Sequence, residues 1–479
     1  MLNKSIYEKI FPIEGNYVLF NGLYGAFDLI SSEEARIFES NNFECLKPER
    51  LKYFINHGYL IDDLEREDEN LKIISRIHKL KSQFNIGIVL APTYNCNLRC
   101  QYCFEKHRLI HGKEWLERVM SDEIIEAVFT QIKKYKDKGF LIDECVLYGG
   151  EPLLTSNKNL IRDIFRRCEE LNIKVDAITN GCELENFLEF NFSSLQITVD
   201  GLKETHDKRR FFADGSGSYD KIIKNIASAL EHKIKIKLRI NISRSNLNTI
   251  KEFPNELEKL GFLKDENFSY YFKAVIEEEN SVSDIEIADE LRKLGKTLSE
   301  IIKLESTYNN VASKIKGCLQ QDKMPELNPT YCGAENNSNV IAPDGLIYPC
   351  WMLLAKEDEA VGFVDNEGKR FLYDLSVSKW KNRTADKITP CNKCPLIMIC
   401  GGGCAGSDKK YLSEGNCGDI KEIFDEIAPL ICEKVFSKKD FKTLSICEAL
   451  NNLSYEERKT LLTSDNTKEI FNLIKAKSL

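Results

Sequence analysis

The sequence predicts an α/β fold built on a partial (β/α)6 barrel, preceded by a small winged-helix-like unit and followed by a Cys-rich domain. Two observations carry this reading. From residue 83 onward, apolar runs (IGIVLAPT, DECVLYGG, IKVDAITN, SLQITVDG, IKIKLRINI, FSYYFKAV) alternate with segments of helical periodicity such as SDEIIEAVFTQIKKYK and YDKIIKNIASALEHK. Connections of that length suit parallel strands with helices outside. Between 332 and 417, Gly, Pro and Cys rise and helical periodicity fades, as in short domains stapled by metal.

Taken in order, residues 1–80 read as a separate unit. GNYVLFNGLYGAFDLI suggests two short strands around a Gly-containing turn, and Ser31 followed by Glu34 is a capping-box signature opening a helix. PERLKYFINHG is a second helix stopped at Gly58, YLIDD another strand, and LEREDENLKIISRIHKLKSQ a charged helical connector. The barrel is expected over 81–276, with its chemistry at the carboxyl ends of the strands. A helical bridge over 277–330, the Cys-rich domain over 331–420 and terminal helices over 421–479 complete the division.

The 479 residues carry a net charge of −8, which argues against a nucleic-acid or anionic-membrane partner. No stretch reaches a membrane span, and the amino terminus has no signal-peptide pattern, so a cytoplasmic location is expected. Seventeen cysteines in a reducing compartment point to metal rather than disulfides. Eleven fall in spaced groups, while Cys45, Cys145, Cys168, Cys182, Cys432 and Cys447 are scattered and read as small buried residues.

The first group, Cys96-Asn-Leu-Arg-Cys100-Gln-Tyr-Cys103, follows the first barrel strand. Three thiolates on one loop can hold three irons of a [4Fe–4S] cluster and leave the fourth without a protein ligand. A zinc site would want four ligands, usually in pairs. The second strand ends in Tyr148-Gly149-Gly150-Glu151-Pro152, where two glycines allow close backbone approach to a ligand. The third and fourth end in Thr179-Asn180-Gly181 and Thr198-Val199-Asp200-Gly201. Asp200 reads either as a ligand contact or as a turn cap, and Arg210 as an anion contact or part of a solvated basic turn. Arg239 and Asn241 alternate with apolar residues on the fifth strand, so both should point inward, where an arginine needs an anion.

The C-x3-C-x2-C loop with Tyr102, and the Gly-Gly-Glu-Pro strand end, resemble the signatures of the radical S-adenosylmethionine (SAM) superfamily. The resemblance implies that the open iron chelates the amino and carboxylate groups of SAM. It further implies that Gly149, Gly150, Glu151 and Pro152 bind the SAM amino group, and that Thr179, Asn180, Asp200 and Arg210 contact the cofactor. Asp200 and Arg239 are the candidate catalytic residues. One-electron cleavage of SAM would yield a 5′-deoxyadenosyl radical that abstracts a substrate hydrogen.

Downstream, Cys332, Gly345, Cys350, Cys391, Cys394, Cys400, Cys404 and Cys417 fit the pattern of the SPASM domain at every position. That resemblance implies two auxiliary [4Fe–4S] clusters, for three in all: Cys391, Cys394, Cys400 and Cys417 on the outer one, and Cys332, Cys350 and Cys404 on the inner. Cys318 is the candidate fourth ligand of the inner cluster. The amino-terminal unit resembles the leader-recognition domain of peptide maturases. A precursor peptide with a leader segment, and a flavodoxin- or ferredoxin-type reductant, are therefore the expected partners. The leading expectation is an anaerobic, sactipeptide-type maturase installing Cys sulfur-to-carbon thioethers. Carbon–carbon crosslinking or formylglycine formation on a sulfatase are alternatives on the same scaffold. A non-catalytic iron–sulfur protein is the alternative of a different class.

Overall fold

A computed structural model describes residues 2–275, 280–365, 370–438 and 444–479. The chain divides into two compact units. The first joins Met1–Gln83 to Tyr308–Asn336 and Lys381–Leu479, and the second comprises Phe84–Thr307 with Asn337–Trp380. The stretch expected as one Cys-rich domain, 331–420, is thus shared between them. The expected boundary between barrel and bridge, at 276–277, lies outside the described residues, as does 439–443 of the expected terminal helices.

In the first unit, β1 (Asn3–Lys4) pairs antiparallel with β5 (Leu60–Ile61). β2 (Glu8–Ile13), β3 (Asn16–Asn21) and β4 (Ala26–Ile30) form an antiparallel sheet in the order β2-β3-β4. β2 was not legible in the sequence because it contains Pro12, which a sheet tolerates on an edge strand. Helix α1 (Ser32–Ser40) opens with the expected capping box, Ser31 accepting from the Glu34 N–H. Helix α2 (Pro48–Asn56) is followed by Gly58 at φ +80°. Helix α3 (Leu64–Ser82) is capped by Asp63. Leu19, Ala26, Ile30, Phe38, Phe54 and Tyr59 form the core between the sheet and α1–α2. The helix Ile420–Phe436 packs on β2 through Phe424, whose ring lies 6.3 Å from that of Phe11 and 5.2 Å from that of Phe20. In β4, the buried Asp28 carboxylate accepts from Tyr53 (2.5 Å) and Tyr59 (2.8 Å) and meets His57 Nδ1 at 2.6 Å.

The second unit is organised by one ten-stranded sheet. Its parallel part is β6 (Gly87–Leu90), β7 (Glu144–Leu147), β8 (Lys174–Thr179), β9 (Ser194–Thr198), β10 (Ile236–Ile242) and β11 (Phe268–Ala274), neighbouring one another in chain order. These are the six expected strands, and helices such as Asp122–Asp137 and Tyr219–Glu231 connect them. The sheet then extends beyond β6. β12 (Ser338–Ile341) pairs parallel to β6, followed by antiparallel β13 (Leu346–Tyr348), β14 (Gly362–Val364) and β15 (Arg370–Leu372). The six parallel strands stand as expected, and these four extend the sheet beyond them. Strands of three or four residues among Gly, Pro and Cys are too short to show a period, so 337–372 read as irregular. Among the described residues no helix is long and apolar enough to cross a membrane.

Candidate active site

The six parallel strands deliver their carboxyl ends to one side of the second unit, and the loop after β6 carries Cys96, Cys100 and Cys103. The thiols stand within one another's electrostatic reach: Cys100 responds to both Cys96 and Cys103, and Cys103 to Cys96. Burial pushes Cys100 up to about 12 and Cys103 up to about 11. Cations oppose that shift, Arg210 at Cys100 and Arg108 at Cys103 and Cys96. Among the described residues no three His, Cys, Asp or Glu side chains are close enough to share a single metal ion. A cubane cluster takes one thiolate per iron and holds its ligands further apart than one ion does.

The turn after β7 approaches this loop closely. Gly150 has φ +52°, and a Cβ there would lie 2.2 Å from the Asn95 carbonyl oxygen, next to Cys96. The Glu151 N–H donates to that same carbonyl (2.7 Å). Glu151 itself is buried, and its carboxylate accepts from the Thr179 hydroxyl (2.6 Å), the Asn180 N–H (2.6 Å) and the Leu153 N–H (2.9 Å). Burial pushes its carboxyl up to about 7 while those donors pull it down. Glu151 therefore clamps the β7 turn to the end of β8. Pro152 contributes its carbonyl to Asn157 Nδ2 (3.2 Å). Asn180 reaches back to the cysteine loop, donating to Asn97 Oδ1 (2.7 Å) and lying 3.8 Å from Cys96 Sγ.

At the end of β9, Asp200 is wholly buried. Its Oδ2 accepts from Arg209 Nε (3.0 Å), and Arg209 also donates to Ser243 (2.9 Å) and Ser245 (2.8 Å). Arg210 donates to the Tyr102 hydroxyl (2.8 Å), which also accepts from Asn241 Nδ2 (3.1 Å). Arg239 is half-buried and donates to Asn241 Oδ1 (2.8 Å). His206 is no ligand: its Nδ1 accepts the Asp200 N–H (3.2 Å), its Nε2 meets Ser218 Oγ (2.9 Å), and burial holds its pKa far below the usual range. At the end of β9 and in the segment after it, Asp200 Oδ1 and Arg210 Nε are buried without a hydrogen-bond partner among the described residues.

Residues 90–257 match the family model described as the Radical SAM superfamily. The chain carries a radical SAM domain. It is 22% identical over 379 residues to a cysteine-type anaerobic sulfatase-maturating enzyme of Clostridium novyi, a match covering 71% of this chain and 95% of the relative. It is 30% identical over 169 residues to an S-adenosylmethionine-dependent nucleotide dehydratase of Psychrobacter lutiphocae, covering 33% of this chain and 55% of that one. Among solved structures, anSMEcpe with bound AdoMet superposes with a TM-score of 0.56 at 17% identity, covering 74% of this chain and 96% of the other. The same protein with bound AdoMet and the Cp18Cys peptide gives 0.56 at 16% identity, covering 74% and 99%. These superpositions show the fold.

A radical SAM domain is an enzyme's domain and works with a [4Fe–4S] cluster and SAM. The residues present fit both groups. Three thiols share one loop, a Cβ-free turn lies against it, and one carboxylate oxygen of Asp200 and the Nε of Arg210 are left without a hydrogen-bond partner near Cys100. Sequence reasoning missed a second layer around the radical SAM loop. Glu105 accepts from Arg108 and, through Oε2, from the Gly150 N–H (3.0 Å), while Arg108 faces the Cys96 and Cys103 thiols. Arg209, adjacent to the residue singled out, is the one that pairs with Asp200. Nothing local distinguishes Arg209 from Arg210; only the tertiary fold does.

The second cysteine field lies mostly in the first unit. Cys391 responds electrostatically to Cys417 and Cys394, Cys400 to Cys391 and Cys394, and Cys332 to Cys404. Cys350 belongs to the second unit, after β13. Cys318 is buried at the end of the helix Ser306–Cys318, and its thiol donates to the Glu326 carbonyl at 3.6 Å. At Gly403, φ +75°, a Cβ would lie 1.7 Å from the Asn416 carbonyl oxygen, so only glycine lets these loops meet. Running through them is Arg383, which no motif marks. It pairs with Glu335 and donates to the carbonyls of Tyr411 (2.7 Å) and Gly402 (2.8 Å). Of the six scattered cysteines, five are buried as expected, and Cys45 is exposed.

Proposed function

We propose that this chain is a peptide maturase that generates a 5′-deoxyadenosyl radical and installs a thioether from a cysteine sulfur to a carbon of another residue in a ribosomally made peptide. The observation that carries the cofactor part of this reading is the orphaned pair Asp200 Oδ1 and Arg210 Nε beside the three-cysteine loop. A zwitterionic amino-acid group, as in SAM, answers both charges, and buried polar atoms without partners call for such an answer. Cys96, Cys100 and Cys103 would hold the cluster, with Gly149 and Gly150 bringing backbone against SAM. When bound, these groups supply the radical. The chain's own residues position it. Arg209 locks Asp200, Tyr102 and Asn241 fix Arg210, Thr179 and Asn180 are braced by Glu151, and Arg239 lines the wall of β10. The buried strand ends keep water out.

Support for a peptide substrate comes from the sulfatase-maturating relative, whose length the match nearly covers, and from the peptide-bound anSMEcpe. The three-stranded sheet of residues 1–80 adds to it. β4 has a strand neighbour on one side among the described residues, and a sheet edge suits an extended leader peptide. We further assign Cys391, Cys394, Cys400 and Cys417 to one auxiliary cluster, and Cys332, Cys350 and Cys404 with Cys318 to another. A flavodoxin- or ferredoxin-type donor supplies the electron. Formylglycine formation on a sulfatase is the second reading, favoured by the same relative.

The test is mass spectrometry of a candidate precursor peptide incubated with reconstituted chain, SAM and reductant. A mass lower by two hydrogens per crosslink, with loss of an alkylatable thiol, is expected. An intact thiol at that mass would point to carbon–carbon crosslinking, and replacement of the cysteine sulfur by oxygen to formylglycine. Absence of 5′-deoxyadenosine would refute the radical step itself. Cys318→Ala should lower the iron content; unchanged iron would leave the inner cluster with a position open to a substrate thiolate.

A further inference from the structure

The helix Ser306–Cys318 carries a cation that the site as described does not use. Lys314 is half-buried, and among the described residues it makes no hydrogen bond and no ion pair. Its Nζ stands over the Tyr331 ring, 5.4 Å from the centre, and Tyr331 leads directly into Cys332. The carboxylate that acts on it, Glu335, is already paired with Arg383. A charge held away from water without a partner is costly, so an anion is expected where Lys314 points.

What it meets there is thiols. Gly401, at φ +70°, follows Cys400, and a Cβ there would lie 2.3 Å from the Thr330 carbonyl and 2.6 Å from the Tyr331 nitrogen. The loop after Cys400 is therefore laid against the backbone just before Cys332. Loops carrying one ligand of each auxiliary cluster thus meet at one junction within the first unit. Burial pushes the Cys400 thiol up to about 11, and Lys314 is the first charge that opposes it. Burial lowers Lys314 in turn, while Cys400 and then Cys332 pull against that. Arg383 also faces Cys332 and Cys391, but Glu335 offsets its charge.

Free thiols are largely neutral near pH 7, whereas iron holds them as thiolates. A cluster ringed by thiolates is anionic, and an added electron makes it more so. Net charge helps to set the reduction potential of an iron–sulfur cluster. An ammonium group where water is largely excluded favours the reduced form, because little solvent screens it. We propose that Lys314 is a positioning residue of the auxiliary clusters, a fixed counter-charge that raises their reduction potential through Cys400 and Cys332. The inference rests on the assignment of those two cysteines as cluster ligands. The step it acts on is the gain of one electron by a cluster from an external low-potential reductant. The reductant loses that electron, and no bond is made or broken.

The experiment is a redox titration of the reconstituted full chain with dithionite and mediator dyes, followed by electron paramagnetic resonance. It is run with Cys96, Cys100 and Cys103 replaced by Ala, so that only the auxiliary clusters contribute to the spectrum. Lys314→Met and, as a second neutral side chain, Lys314→Gln should each lower the equilibrium constant for reducing an auxiliary cluster at least tenfold, a fall of about 59 mV for one electron. Lys314→Arg should keep it within about twofold of the lysine form, and iron content should not change in any of these variants. Unchanged potentials in both neutral variants would overturn the proposal. So would an equal fall in Lys314→Arg, which would assign the effect to packing rather than to charge. Loss of iron in both neutral variants would also overturn it, since Lys314 would then hold the loops together rather than tune what they bind. Failure of the cluster assignment shows differently: with Lys314 in place, Cys332→Ala and Cys400→Ala would leave iron content and spectrum unchanged.

Discussion

Replacing Arg383 by Met should loosen the cysteine loops of the first unit and leave the barrel as it is. The Arg383 and Glu335 side chains are 0% and 1% exposed. Methionine keeps much of the stem but removes the charge and every donor. Glu335 would keep one hydrogen bond, from the Tyr331 N–H at 2.6 Å, and the weaker pull of the Lys79 cation, and the Tyr411 and Gly402 carbonyls would each lose a bond. Breaking a buried ion pair by removing one partner costs about 3–5 kcal/mol. At about 1.4 kcal/mol per factor of ten, that raises the local opening equilibrium by roughly two to nearly four orders of magnitude. Trp380 lies three residues from Arg383, whereas Trp115 and Trp351 are distant in the chain, so tryptophan fluorescence would not report on the cysteine loops themselves. Hydrogen–deuterium exchange would. The Ala385 N–H, bonded to Pro329 O (2.8 Å), and the Asn416 N–H, bonded to Gly402 O (3.0 Å), report on the loops. Both should exchange at least about a hundredfold faster, with β6 and β10 unaffected. The double variant Arg383→Met/Glu335→Met should recover part of the loss, since a buried pair replaced by apolar groups is often near neutral. Exchange within about threefold of wild type in Arg383→Met, or strict additivity in the double variant, would refute the reasoning.

Three further outcomes are expected. Gly150→Ala should weaken SAM binding by more than about tenfold: a left-handed backbone costs an alanine roughly 1–2 kcal/mol, and its Cβ would also press on Asn95 beside Cys96. Equilibrium dialysis checks this, with iron of the second cysteine field as the unaffected control. Replacing Cys96, Cys100 and Cys103 together by Ala should remove about four irons per chain and abolish 5′-deoxyadenosine formation, both measured on the same reconstituted preparation. His78, its Nε2 3.1 Å from Thr330 Oγ1, is pushed down to about 4 by burial. Its charged form is therefore disfavoured in the folded state. Stability from this group is full above pH 6.5 and falls as pH drops towards 4, by about 3 kcal/mol at most. His78→Gln should flatten the acid limb of a thermal-unfolding series, and an unchanged limb would contradict the assignment.

Much of the site was legible because metal ligation and helix capping are local. The cysteine spacings, Gly149-Gly150 and the Ser31–Glu34 box each act over a few residues, so the chain order itself displays them. The six parallel strands were legible for a similar reason, each being an apolar run long enough to show against its flanks. β2 was hidden by Pro12, and β12–β15 by being three or four residues long, so that pairing with neighbours rather than any internal pattern makes them strands.

The sequence by itself determined where thiolates could gather and which turns could lie against them, because those demands are met within single loops. Only the tertiary structure decided that Asp200 takes Arg209 and leaves Arg210 for Tyr102, that Glu151 braces β8, and that Glu335 and Arg383, 48 residues apart, share one buried pair. Opposite charges carry no address in the chain. Burial excludes water and makes an unpaired charge costly, so the partner is whichever group the closed fold brings within reach.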